Sequence, residues 1–99
     1  MPYRAAYSAA RHGVRGITRS VAHDWAARGV RINELLPGVI ENPMLALANE
    51  QETKATAALV AARRLGRPRE IATTVAFLLS DEASCITGAH LAVDGGFLT

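Results

Sequence analysis

Cysteine is nearly absent: Cys85 stands alone, so no disulfide can close within the chain and a reducing compartment is expected. No apolar run approaches membrane-spanning length and the N-terminus has no signal-peptide core, so the sequence reads as cytoplasmic, with no membrane partner. The three histidines, His12, His23 and His90, have no ligand spacing between them and no carboxylate companions in a motif, so no metal site is expected. Aromatic residues make up only 5% of the chain and none falls within the Arg63–Arg69 group. A base-stacking surface needs aromatics among its cations, so the net charge of +2 and the Arg63-Arg64…Arg67…Arg69 group are read as a solvated face, and nucleic acid is not an expected partner.

What is present is an apolar fraction of 49% in 99 residues, enough for one small domain with a modest core. Helical and strand patterns alternate, which predicts an α/β layer structure, although the chain looks too short to cover both faces of a sheet. The first long segment is predicted to be a helix from Tyr7 to Arg28, with Gly29 able to close it in the left-handed conformation. At about 100° per residue, Tyr7 and Arg11 share a face with Val14, Thr18, Val21 and Trp25, and that face is expected to point into the protein. Gly13 and Gly16 are costly inside a helix, and close approach of another backbone or helix is the expected reason for them.

Tyr7 and Arg11, one turn apart, admit two readings on spacing alone. Either they are a structural pair, with a packed ring and an arginine stem passing it, or the cation favours phenolate and makes the phenol a usable general acid/base. After Gly29, Val30–Leu36 is β-branched at its start and runs into Pro37-Gly38, which predicts a strand. Glu34 is awkward in a buried strand and must face a polar cleft or find a cationic partner. Ligands of open parallel sheets bind beyond the carboxyl ends of the strands, so residues 37–43 are either a site loop or a plain turn. Residues 44–65 read as one or two helices broken near Asn49 to Thr53, a natural lid. A further helix is predicted to open at Gly66-Arg67-Pro68-Arg69-Glu70 and to end at Ser80-Asp81-Glu82; a turn over Ser84–Gly88 then leads to a strand at His90–Val93.

Seven short stretches then fall into one order and spacing: Tyr7-Ser8-Ala9-Ala10-Arg11, Arg31-Ile32-Asn33, Pro37-Gly38-Val39-Ile40, Gly66-Arg67-Pro68, Leu78 to Ser84, Ile86-Thr87-Gly88 and Val93-Asp94-Gly95-Gly96. Together they resemble the C-terminal half of a short-chain dehydrogenase/reductase across nearly the whole chain. The resemblance implies an α/β fold, the C-terminal fragment of a Rossmann-like doubly wound parallel sheet with two strands and three to four helices. Residues 1–99 would be part of a single domain whose dinucleotide-binding half is absent. It further implies an oxidoreductase that uses NAD or NADP to move hydride between nicotinamide and a small carbonyl or alcohol substrate, acting as a dimer or tetramer when intact.

In that family's pattern Tyr7 matches the catalytic tyrosine, and Arg11 falls where a lysine binds the nicotinamide ribose and assists the tyrosine. Pro37, Gly38 and Ile40 match the loop beside the nicotinamide carboxamide, and Asn42 takes the place of a cofactor-contacting threonine. Glu34 stands where the family usually has a small residue. No glycine-rich phosphate loop occurs in the sequence, and the family's serine would precede Tyr7 by more residues than the chain has, so Met1 is expected to correspond to an internal position. The isolated chain is therefore expected to be inactive. The alternative is a non-catalytic fragment or interaction module that pairs with a full-length homologue.

Overall fold

The computed structural model describes residues 4–43 and 49–97. Helix α1 spans Ala5–Trp25 and continues through one tight turn, Ala26–Arg28, to Gly29, whose φ of 78° is left-handed. It starts two residues before Tyr7, because the Arg4 carbonyl already accepts the Ser8 N–H at 2.8 Å without any side-chain cap. Strand β1, Glu34–Pro37, pairs in parallel with strand β2, His90–Val93, in the register Glu34↔His90, Leu35↔Leu91, Leu36↔Ala92 and Pro37↔Val93. Between them lie α2, Glu50–Ala58, and α3, Pro68–Leu79. The helices and the parallel pair form an α/β unit of the Rossmann-like kind. Among the described residues no helix is long and apolar enough to cross a membrane.

Strand β1 is shorter than the Val30–Leu36 run predicts. Residues 31–33 do run beside the Ile86–Ala89 segment, but side chains make many of the bonds: Ile32 N–H donates to Thr87 Oγ1 at 3.1 Å, Asn33 Nδ2 to the Ile86 carbonyl at 3.0 Å, and Ala89 N–H to Asn33 Oδ1 at 3.0 Å. Asn33 thus replaces one step of the backbone ladder, and regular pairing begins only at Glu34, whose N–H reaches the Ala89 carbonyl at 2.8 Å.

Helix α2 starts after Asn49. The Asn49 side chain accepts the Glu52 N–H at 2.7 Å, so it caps α2, and residues 50–53, expected within the break, are helical. The lid reading extends over residues 44–48, which lie outside the described residues. Its far end is docked: Ala62 N–H donates to the Gly95 carbonyl at 2.9 Å, and Val60 and Leu65 are buried. Helix α3 opens and closes where the sequence predicts, with Pro68 in its first turn.

Two expectations about α1 are corrected. The face expected to point inward does so only in part: Tyr7 is 53% exposed and Val14 and Trp25 are open, while Arg11 and Val21 are half-buried and Thr18 is buried. The buried strip is Thr18 and Ala22, the latter beside Gly88 of the loop before β2. Two strands spaced about 4.8 Å apart are narrower than a helix about 10 Å across, so the sheet covers only a strip of α1. Nor does any backbone approach Gly13 or Gly16: a Cβ added at either would meet nothing within 4 Å.

Candidate functional site

Tyr7 and Arg11 sit one turn apart on α1, with both side chains on the flank that overlooks β1. The Arg11 Nη1 donates to the Tyr7 hydroxyl at 3.0 Å, and the Arg11 and Arg4 guanidinium carbons lie 5.4 and 5.9 Å from the Tyr7 ring centroid. The ring therefore has two cations within 6 Å of its centroid, a proximity its quadrupole favours. The hydroxyl accepts from Arg11 and keeps its own proton to donate. Spacing left open whether this pair was structural; the geometry shows a guanidinium aimed at the phenol oxygen rather than snorkelling past it.

A cavity of about 410 Å³ opens at this flank, lined by Tyr7, Arg11, His12, Arg15, Glu34 and Leu36 among others. A second of about 270 Å³ adjoins it and adds Val14, Leu35 and Pro37. The charge is lopsided, with arginines on the helix wall and Glu34 on the strand floor. Pro37, the last residue of β1, is thus brought to Tyr7 and Arg11.

The rest of the predicted loop lies elsewhere. Gly38 is pressed against the turn after β2, where an added Cβ would come within 2.6 Å of the Asp94 Cβ and 2.7 Å of its Cα. Ile40 forms a single parallel bridge with Gly66, and it lines a separate small cavity with Ala62, Arg64, Gly66 and Glu70. The bonds of that bridge, Gly66 N–H to the Val39 carbonyl at 2.9 Å and Glu41 N–H to the Gly66 carbonyl at 2.8 Å, use the residues flanking Ile40 and not its own N–H. Asn42 donates from Nδ2 to the Ile40 carbonyl at 3.1 Å.

Glu34 faces a polar cleft. It is 7% exposed yet borders both cavities, and its Oε1 lies 3.7 Å from His90 Nδ1. That distance is beyond hydrogen-bond range, and among the described residues neither carboxylate oxygen and neither imidazole nitrogen has a hydrogen-bond partner. His90 thus has a carboxylate neighbour, although not one in a sequence motif. No motif could show the pairing, because it comes from the strand register that sets position 34 beside position 90. Among the described residues no group of three or more His, Cys, Asp or Glu converges on a metal-sized site.

The arginine group at 63–69 does local work. Arg64 grips Glu70 through Nη1–Oε1 and Nη2–Oε2 contacts of 2.7 and 2.9 Å, and Arg63 donates to the Ala58 carbonyl at 2.7 Å, at the end of α2.

The family model described as enoyl-(acyl carrier protein) reductase matches residues 1–98. A 3-oxoacyl-[acyl-carrier-protein] reductase of Vibrio cholerae is 52% identical over 93 residues, covering 94% of this chain and 38% of that protein. A cyclohexanol dehydrogenase of an Acinetobacter species is 46% identical over 91 residues, 92% of this chain and 35% of the relative. A cis-4-hydroxycyclohexanecarboxylate dehydrogenase of Sinomonas cyclohexanicum is 45% identical over 93 residues, 94% of this chain and 37% of the relative. The chain thus spans little more than a third of the length of the relatives it matches.

Proposed function

Because the chain belongs to the short-chain dehydrogenase/reductase family, a family of oxidoreductases, we propose that it is the C-terminal part of a nicotinamide-dependent reductase or dehydrogenase acting on a small carbonyl or alcohol. One observation carries the reading: the bond from Arg11 Nη1 to the Tyr7 hydroxyl at 3.0 Å, at the mouth of a cavity. Tyr7 is the general acid in reduction and the base in oxidation. Its hydroxyl donates a proton to the substrate oxygen as negative charge develops there, and the guanidinium steadies the phenolate left behind. Arg11 holds that charge but cannot itself pass on a proton near neutral pH, so reprotonation of Tyr7 must come from another donor.

NAD or NADP supplies the hydride when bound. Of the chain's donors, Arg11 fits its reactive end, with guanidinium N–H groups beyond the one given to Tyr7, and Pro37 borders the same cavity. Arg11, Pro37, Gly38, Ile40 and Asn42 are the residues we assign to holding it. No residue of this sequence is assigned to the pyrophosphate. The intact form is proposed to be a homo-oligomer.

The test replaces the matched segment of the Vibrio cholerae reductase with residues 1–98 and follows oxidation of the reduced cofactor by absorbance. Turnover is expected from the chimera and none from the 99-residue chain alone. Tyr7→Phe in the chimera should lower turnover by roughly 10²-fold or more; a Tyr7→Phe chimera as active as its parent would sink the assignment.

The open flank of α1 favours a second reading. Gly13 and Gly16 meet nothing within 4 Å and adjoin the exposed Val14 and Ile17, a surface suited to another helix. On that reading the chain pairs with a full-length homologue and has no activity of its own. Recovery of an intact dehydrogenase with the tagged chain would support it, and a partnerless chain would oppose it.

A further inference from the structure

Glu34 is a buried carboxylate whose two oxygens find no hydrogen-bond donor among the described residues, while Arg11 gives a single hydrogen bond, to Tyr7. Both side chains border the same two cavities. A carboxylate held out of water is costly unless a cation answers it, and the planar guanidinium can give one edge to the phenol and another to a carboxylate. We propose that Glu34 is the positioning residue for Arg11: it supplies the counter-charge across the cavity that keeps the guanidinium turned between the phenol and the strand floor.

His90 completes the arrangement from the second strand. Its Nδ1 lies 3.7 Å from Glu34 Oε1, and the register fixes the two side chains as neighbours on one face of the sheet. It lies beside the carboxylate without hydrogen-bonding to it, and Glu34 borders the cavity. The charges around Glu34 are Arg4, Arg11 and Arg15 with His12 on the helix wall, and His90 on β2. Of these, only Arg4 and Arg11 lie against the Tyr7 ring, and only Arg11 bonds the phenol oxygen. The inference rests on the reading of Tyr7 as the acid/base, but its test does not.

The experiment is a double-mutant cycle in the chimera with the Vibrio cholerae reductase, with urea unfolding followed by circular dichroism. Arg11→Met removes the charge while keeping much of the length; Arg11→Lys keeps the charge; Glu34→Gln removes the carboxylate while keeping the shape. Arg11→Met is expected to weaken folding markedly in the Glu34 background, and less in the Glu34→Gln background by on the order of tenfold in the folding equilibrium constant. Arg11→Lys is expected to retain most of that coupling, which a packing role would not predict.

Additive effects of Arg11→Met and Glu34→Gln would overturn the proposal. So would a Lys variant that behaves like the Met variant, or a chimera with no cooperative transition, in which no buried charge couple exists. An inactive chimera with strong coupling in the cycle would instead count against the catalytic reading alone.

Discussion

Glu70 shows at the level of one residue how the charge on this chain is used. Its carboxyl is drawn down to about 2, chiefly by the hydrogen bonds from Arg64 and then by the Arg67 N–H at 3.0 Å. The folded state therefore favours the ionised form more than the unfolded state does. The stability it contributes is present above the ordinary carboxylate value of 4.5 and is lost as pH falls from there through about 2. Following the Glu70 carboxyl and the Arg67 amide by NMR during an acid titration should show the start of α3 loosening across that window, with Glu70→Gln abolishing the step. Both partners are at the surface, so added salt should blunt the effect. At Arg11 the expected change is in rate: Arg11→Lys in the chimera should raise turnover, by up to roughly 10²-fold, because an ammonium can share protons with the phenol. Steady-state kinetics showing no gain would mean that proton sharing at position 11 does not limit the rate.

Elements differ in how tightly they are seated, and their glycines report it. At Gly38 the loop after β1 lies directly on the Asp94 backbone, so Gly38→Ala should destabilise by about 1–3 kcal/mol, read by thermal denaturation. Gly13→Ala and Gly16→Ala have open space and helical backbone, and each should stabilise by roughly 0.5–1 kcal/mol. If the second functional reading were correct, the same two alanines would weaken capture of the full-length homologue while raising the melting temperature, which separates a binding face from a merely tolerated pair of glycines. The elements were largely legible in the sequence. Gly29, Pro68 and the apolar stripe Ile71, Val75, Leu78 and Leu79 act locally, so α1, α3 and β2 fall where pattern places them. Strand β1 was overestimated because the bonds that replace its first pairs come from Thr87 and Asn33 side chains more than 50 positions from their partners.

On the scale of the whole chain the notable feature is how little is covered. The buried apolar set is Ala22, Leu36, Val60, Leu65 and Ala83, while Ile17, Leu59 and Leu79 are more than 60% exposed. Among the described residues the sheet has two strands, so β1 has one edge without a neighbour. Exposed apolar side chains and an open edge favour association. Sedimentation velocity should therefore show the isolated chain growing in mass with concentration, and Ile17→Glu with Leu79→Glu should reduce that growth; a concentration-independent monomer would contradict it.

The sequence by itself determined the α/β pattern, the helix stops and the candidate acid/base, because these depend on neighbours within a turn or on residue types in a fixed order. It also marked Glu34 as out of place. Only the tertiary structure decided which residues share a site. Parallel pairing set Glu34 beside His90, the narrowness of two strands left Tyr7 open to a cavity, and the turn after β2 took the contact at Gly38. Each of those outcomes depends on register between segments far apart in the chain, which no local pattern of residues encodes.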